Sequence, residues 1–363
     1  MKAVVVTHAD LPLGRRIVKL LWHEPGIGRL VAIGEGPPPR AFDALRAGTE
    51  PRLVYEQLDH ARQRSIADWF HSRRLREIAP EAVVYVPHHG AAPEGLPVVA
   101  QVPKRVAEAR LVLHHALELR SIRTLVALGS AFVYELAPGN ANQLCEDSPL
   151  RLDPSAPPAL RAWIDSDMLF QAEIGRAHGA WPSGSSPSGS SPSGSSPSAS
   201  SGRARLRVVL LRVPTVVASG GYVYLHPLLE GAAGPRPRPA GFDPLCPVIA
   251  DKDVARAVAA ALASGACGVF QVAGHERLPL SVLGRWTGRP TLPVPGPLLG
   301  LAARGAAWLG LAEAALDAPL ARHGMSLDVR RAETGLGFRP RYRIGLARAG
   351  DGALRLEAVP APA

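Results

Sequence analysis

The chain has 363 residues, enough for one large or two modest domains, and its 47% hydrophobic and 20% charged content excludes both a disordered chain and a polytopic membrane protein. A net charge of +10 would suit a polyanionic partner, yet the arginines are dispersed and aromatics make up only 5%, so a nucleic-acid surface is not expected. The three cysteines, Cys145, Cys246 and Cys267, are far apart and lack C-x-x-C spacing; they read as reduced thiols of a cytoplasmic protein, with no disulfide framework and no zinc site.

Lys2–Thr7 is a β-branched apolar run, and its four apolar residues between Lys2 and the polar Thr7, His8 and Asp10 are too few for a signal-peptide core. A helix follows at Gly14–Trp22 and a buried strand at Arg29–Ile33, completing a strand–helix–strand unit. The alternation continues with a strand at Arg52–Gln57, a helical stretch at His60–Ile78, a strand at Ala82–Pro87, a helix at Pro103–Leu119 and a strand at Thr124–Leu128. Such alternation predicts an α/β fold with a doubly wound parallel sheet covered on both faces. Ligands of such sheets sit beyond the carboxyl ends of the strands, here Thr7–Gly14, Gly34–Gly36, Pro87–Gly90 and Gly129–Glu135.

A helix is expected at Ala159–His178, then a Pro-Ser-Gly-Ser-Ser repeat over about 182–202 that reads as a disordered loop insertion, then a strand at Arg207–Arg212. Later elements are shorter: helices at Asp251–Ser264 and Leu278–Thr287, a strand at Gly268–Ala273, and an apolar helix near Pro297–Ala315. Arg304 and Glu313 make that last stretch a packed helix rather than a membrane span. The organisation is therefore 1–212 as the sheet domain, 213–348 as a small C-terminal α/β cap region interleaved with it, and 349–363 as a flexible tail.

The stretches VVVTHADLPLGRRIVKLL, LVALGSAFVYE, CEDSPLR, VIADKDVARAVAAAL, GVFQVAG and LDVRRAETGLGFRPRY, in this order, resemble the extended short-chain dehydrogenase/reductase family, the NAD-dependent epimerase/dehydratase group. The resemblance implies a Rossmann-type dinucleotide-binding-like domain and NAD or NADP as cofactor. It also implies a small-molecule substrate and a homodimer through helices of the sheet domain. The cofactor-contacting set that it implies falls on Thr7, His8, Leu11, Gly14, Glu35 and Asp59.

The departures carry most of the functional information. Of the glycine loop T-G-x-x-G-x-x-G, only Thr7 and Gly14 remain, with His8 and Leu11 at the first two glycines. His8 lacks glycine's backbone freedom, and Leu11 puts a branched side chain where phosphate would approach. The helix start and the adjacent Arg15 and Arg16 still favour an anion. At the end of the second strand, where an acid would hold the ribose, stands Gly34, with Glu35 one position on.

In the family a Tyr-x-x-x-Lys pair and a serine perform the chemistry; here the serine position is Ser130, while Trp163 and Asp167 replace the tyrosine and lysine. Indole cannot act as a general acid, and a carboxylate carries the wrong charge. No Tyr-x-x-x-Lys occurs anywhere in the sequence: four residues beyond Tyr55, Tyr85, Tyr134, Tyr222, Tyr224 and Tyr342 stand Asp59, His89, Pro138, His226, Leu228 and Leu346. The expectation is a non-catalytic binding or regulatory protein with a small-molecule or protein partner. The alternative is an NAD(P)-dependent oxidoreductase or epimerase of altered chemistry using Ser130, Tyr134 or a histidine.

Two further clusters are weighed against ordinary structural roles. His88-His89 with His8 and Asp165 or Asp167 would make an acid/base or metal cluster at the strand ends, against two polar loop residues. His114-His115, adjacent on a helix, point to different faces and read as structural, so no metal site is expected. Trp163 reads as a packing residue that fills the vacated cofactor space.

Overall fold

The computed structural model describes residues 2–45, 52–58, 63–88, 98–141, 143–153, 156, 158–178, 206–218, 221–224, 236–288, 290–298, 301, 318–348 and 354–361. The expectations for Asp59, His89, the serine-rich repeat and most of the apolar stretch after Pro297 lie outside the described residues. Its first part runs β1 (Lys2–Val6), α1 (Pro12–His23), β2 (Ile27–Gly34), β3 (Leu53–Gln57), α2 (Gln63–Phe70), α3 (Arg73–Ile78), β4 (Ala82–Tyr85), α4 (Val98–Glu118), β5 (Thr124–Ser130), α5 (Pro158–His178) and β6 (Arg207–Val213). Then follow β7 (Thr215–Ala218), β8 (Gly221–Tyr224), β9 (Arg236–Pro239), β10 (Leu245–Ala250), α6 (Asp251–Ser264), β11 (Gly268–Gln271), β12 (Arg277–Pro279), α7 (Leu280–Trp286) and β13 (Thr291–Val294). The last elements are α8 (Ala318–Arg322), α9 (Arg330–Leu336), β14 (Tyr342–Arg348) and β15 (Leu354–Pro360).

A seven-stranded parallel sheet in the order β11-β6-β5-β4-β1-β2-β3 forms the centre. Apolar residues fill both faces of its strands, and the two-residue period sorts them into two cores. Val4, Val6, Leu30, Ala32, Val126, Leu128, Val209 and Leu211 face one core, with Leu13 and Ile17 of α1 and Val254 and Val258 of α6. Val5, Val31, Ile33, Val83, Leu125 and Leu210 face the other, with Ile66 of α2 and Val112 of α4. Helix α5 serves both, through Leu160 and Trp163 on one side and Phe170 and Ile174 on the other. A four-stranded sheet β12-β10-β7-β8 and the pairs β9–β13 and β14–β15 lie beyond.

Two local expectations are corrected. The stretch read as one helix over His60–Ile78 is two, because Ser72 turns extended and its hydroxyl accepts the Leu75 amide to start α3 afresh. The segment read as a flexible tail from Ala349 holds β15, paired antiparallel with β14 and with Leu356 and Ala358 buried in the core. Asp253, fully buried near the start of α6, accepts the backbone amides of Arg341 and Tyr342 and so anchors the entry to β14. Among the described residues no helix is long and apolar enough to cross a membrane.

Candidate functional site

The carboxyl edge of the central sheet gathers most of the residues singled out by sequence. Thr7 donates its hydroxyl to the Val86 carbonyl at 3.0 Å and accepts the Val86 amide at 2.9 Å, stapling the end of β1 to the end of β4. His8 has φ 46°, the left-handed region that favours glycine. His8 takes this turn although it lacks glycine's backbone freedom: its buried ring is held by a 2.8 Å bond between Nδ1 and the Val86 carbonyl, with Glu108 Oε1 3.4 Å away. These contacts offset a backbone strain of about 1–2 kcal/mol. The Leu11 amide closes the turn onto the His8 carbonyl, and a Cβ on Gly14 would lie 2.1 Å from that same oxygen. Gly14 is therefore required by packing, as expected.

Leu11 is the half-buried N-cap of α1 and makes no side-chain cap, and Pro12 at the first turn removes one amide that a helix start would otherwise present. Of the two nearby arginines, Arg16 is committed to Asp251, 2.8 Å away on α6. The residue that closes the end of β2 is Asp10, not Glu35. Its Oδ2 accepts the amides of Glu35 and Gly36 at 3.1 and 3.0 Å, while the Glu35 side chain is exposed. Tyr55 donates to the Gly36 carbonyl at 2.7 Å, and a Cβ on Gly34 would meet the Tyr55 hydroxyl and the Asp10 carboxylate. The signal available in the sequence was an acidic residue inside the loop and a glycine at the strand end; only their spatial pairing connects them.

At the ends of β5 and β6 the structure assembles a buried polar cluster. Arg212 is fully buried; its Nε and Nη2 each donate at 2.8 Å to one oxygen of Asp167, also buried, from α5. Its Nη1 donates to the Tyr134 hydroxyl at 2.6 Å and the Glu146 carbonyl at 3.1 Å. Gln171 completes the carboxylate by donating to Asp167 Oδ1 at 2.6 Å. Burial pushes the Tyr134 phenol well above its usual range, outweighing the neighbouring guanidinium that pulls it down. The Asp167 and Tyr134 contacts raise Arg212 further, outweighing its burial, so the guanidinium stays charged. Ser130 Oγ accepts the Phe132 amide at 3.2 Å, capping the short 3-10 turn that leads to Tyr134.

The histidine cluster forms only in part. His8 and His88 meet edge-on at 5.5 Å, but Asp165 is exposed and Asp167 faces Arg212, so the carboxylate beside His8 is Glu108 from α4. Trp163 is a core residue with the Arg105 guanidinium over its ring at 4.2 Å; Arg105 also donates to the His88 carbonyl at 3.2 Å.

This sheet order and these site positions can be set beside solved structures. A UDP-glucose-4-epimerase from Stenotrophomonas maltophila with bound NAD is 15% identical, covers 94% of each chain and superposes with a TM-score of 0.62. The chain shares the fold of this epimerase. A dTDP-glucose 4,6-dehydratase from Bacillus anthracis in complex with NAD (12% identity, 94% of this chain and 92% of that, TM-score 0.59) shares it. So does one from Streptomyces venezuelae with NAD bound (18%, 96% and 94%, TM-score 0.57). Identities this low establish the shared fold and leave function to the site. No protein-family model matches the sequence. No curated protein matches it either.

Proposed function

We propose that this chain is a non-catalytic relative of the NAD-dependent epimerases and dehydratases, using their doubly wound sheet to bind or regulate rather than to turn over substrate. The observation that carries this reading is the Arg212–Asp167–Tyr134 cluster. Asp167, at the position that the resemblance gives to lysine, spends its carboxylate on a buried guanidinium, and the Tyr134 phenol accepts a hydrogen bond while burial raises its pKa. Proton donation near neutral pH needs the opposite tuning.

The first turn supports the same reading for the cofactor. Leu11 and Pro12 stand where backbone amides would meet a pyrophosphate, and Asp10 occupies the end of β2 where a ribose would be held. A dinucleotide in that place does not fit these residues, and no chemical step is assigned through it. A cytoplasmic location accords with the three separated cysteines, read as thiols.

The test is calorimetric titration of the purified chain with NAD⁺, NADH, NADP⁺, NADPH and UDP-glucose, the last because solved relatives bind it. Leu11→Gly serves as companion variant. The expected result is no dinucleotide binding and no turnover by wild type; micromolar binding accompanied by turnover overturns the proposal. A second reading, an enzyme of altered chemistry, is favoured by one observation: the buried His8 imidazole lies 3.4 Å from Glu108 at the carboxyl edge of the sheet. It requires a turnover that His8→Gln abolishes.

A further inference from the structure

At the C-terminal end of α4, ten residues beyond Glu108, three imidazoles converge on one carboxylate. Glu118 is the last residue of α4; on a helix it lies about 40° around the axis from His114 and about 60° the other way from His115. The two adjacent histidines therefore flank it from opposite sides, in keeping with their different directions on the helix. His114 Nε2 is 3.2 Å from Oε1 of Glu118, and His115 Nδ1 is 3.3 Å from Oε2. A third imidazole arrives from another element: His71, just after α2, brings Nε2 to 3.8 Å from the same Oε2. Ser72 ends that turn by starting α3, which holds His71 beside α4.

We infer that His71, His115 and Glu118 form a binding site for a zinc-type divalent transition metal ion, with His114 orienting the carboxylate from behind. The donor set suits such an ion: two imidazole nitrogens and one carboxylate oxygen, with a fourth position left to water. The geometry is close to what tetrahedral coordination needs. Ligand atoms about 2.0–2.1 Å from a metal stand about 3.3 Å apart, and the two measured edges through Oε2 are 3.3 and 3.8 Å. All three ligand atoms lie within 4.8 Å of one another, and the side chains that must adjust, His71 and Glu118, are exposed enough to move.

The arrangement is rigid where rigidity helps. His115 is 3% exposed and its ring is stacked on the buried Phe70 at 4.9 Å, so one ligand is fixed in direction. His114 contacts the carboxylate oxygen that the metal would not use, as an outer partner that sets a ligand's orientation does. The ion would join the end of α2 to the end of α4 and so tie two helices of one sheet face.

The experiment uses the full chain without a purification tag, stripped with a chelator and titrated with zinc(II) against a chromophoric competitor, and with cobalt(II) followed by visible absorption. Wild type is expected to bind one zinc per chain and to give the intense cobalt spectrum of a four-coordinate site. His71→Ala and Glu118→Gln, both at exposed positions, are expected to lose that site while their circular dichroism is unchanged. His114→Ala is expected to weaken zinc by about tenfold or more while keeping the cobalt spectrum. No stoichiometric zinc on wild type, or binding unchanged in His71→Ala, overturns the proposal.

Discussion

Arg212 and Asp167 meet as a two-pronged pair, Nε to Oδ2 and Nη2 to Oδ1, both at 2.8 Å and both fully buried. A carboxylate and a guanidinium that are 45 residues apart in the chain thus neutralise each other between α5 and β6. Neither charge is left for a ligand.

Breaking one side of that pair strands the other charge in the interior. Arg212→Met or Asp167→Leu alone is expected to lower stability by about 3–5 kcal/mol, whereas the double variant recovers most of the loss. Urea unfolding of the four proteins in a double-mutant cycle measures this. Additive losses would show that the pair is not a unit.

Tyr134 gives the protein an alkaline limit. Its folded pKa is raised above the usual value of about 10, so the folded state holds the proton longer than the unfolded chain does. That contribution is present below about pH 10 and lost as pH rises through the folded value. The buried Cys246 thiol, raised by burial, adds in the same direction. Tyr134→Phe is expected to flatten the fall in urea midpoint above about pH 10 in part, with the Cys246 share remaining. A profile identical to wild type would refute the assignment.

Two glycines of the first unit are expected to respond oppositely. Gly14→Ala drives a Cβ into the His8 carbonyl, a backbone atom of a closed turn, and should cost about 4 kcal/mol or more. Gly26 has open space around its Cβ direction and no left-handed backbone, so Gly26→Ala should be neutral or stabilise by up to about 1 kcal/mol. Thermal unfolding of both variants checks this.

The Asp10 bracket makes a separate prediction. Asp10→Ala removes the acceptor for the amides of Glu35 and Gly36 and should lower stability by about 1–3 kcal/mol, without restoring dinucleotide binding while Leu11 and Pro12 remain. Calorimetry with NADH and urea unfolding decide the two parts. NADH binding by Asp10→Ala would show that Asp10 alone blocks the site.

The strands of the sheet and the helices between them were legible because each is written in a short window. Val4, Val5 and Val6 sort by a two-residue period, and Asp251–Ser264 ends at Gly265, whose left-handed backbone stops the helix. The absence of a Tyr-x-x-x-Lys spacing was equally plain, since it can be checked at six tyrosines. What the residues at the site do instead was not. In the sequence Asp167 is only a carboxylate in place of a cation, and the facing Arg212 is 45 residues away; Asp10, which holds the Glu35 and Gly36 amides, is 25 residues from Glu35. His71 is more than 40 residues from His115 and Glu118, so the sequence does not show that the three stand together.

The amino-acid sequence by itself determined the α/β alternation, the parallel sheet and the absence of any Tyr-x-x-x-Lys spacing, because backbone period and residue spacing are local properties. Tertiary structure alone decided the pairing of Asp167 with Arg212, the capture of the β2 end by Asp10 and the gathering of His71 with α4. Each of these depends on two groups that are distant along the chain being held within about 4 Å, and no local pattern records that distance; only the Asp167–Arg212 pair does so in an interior that screens it weakly.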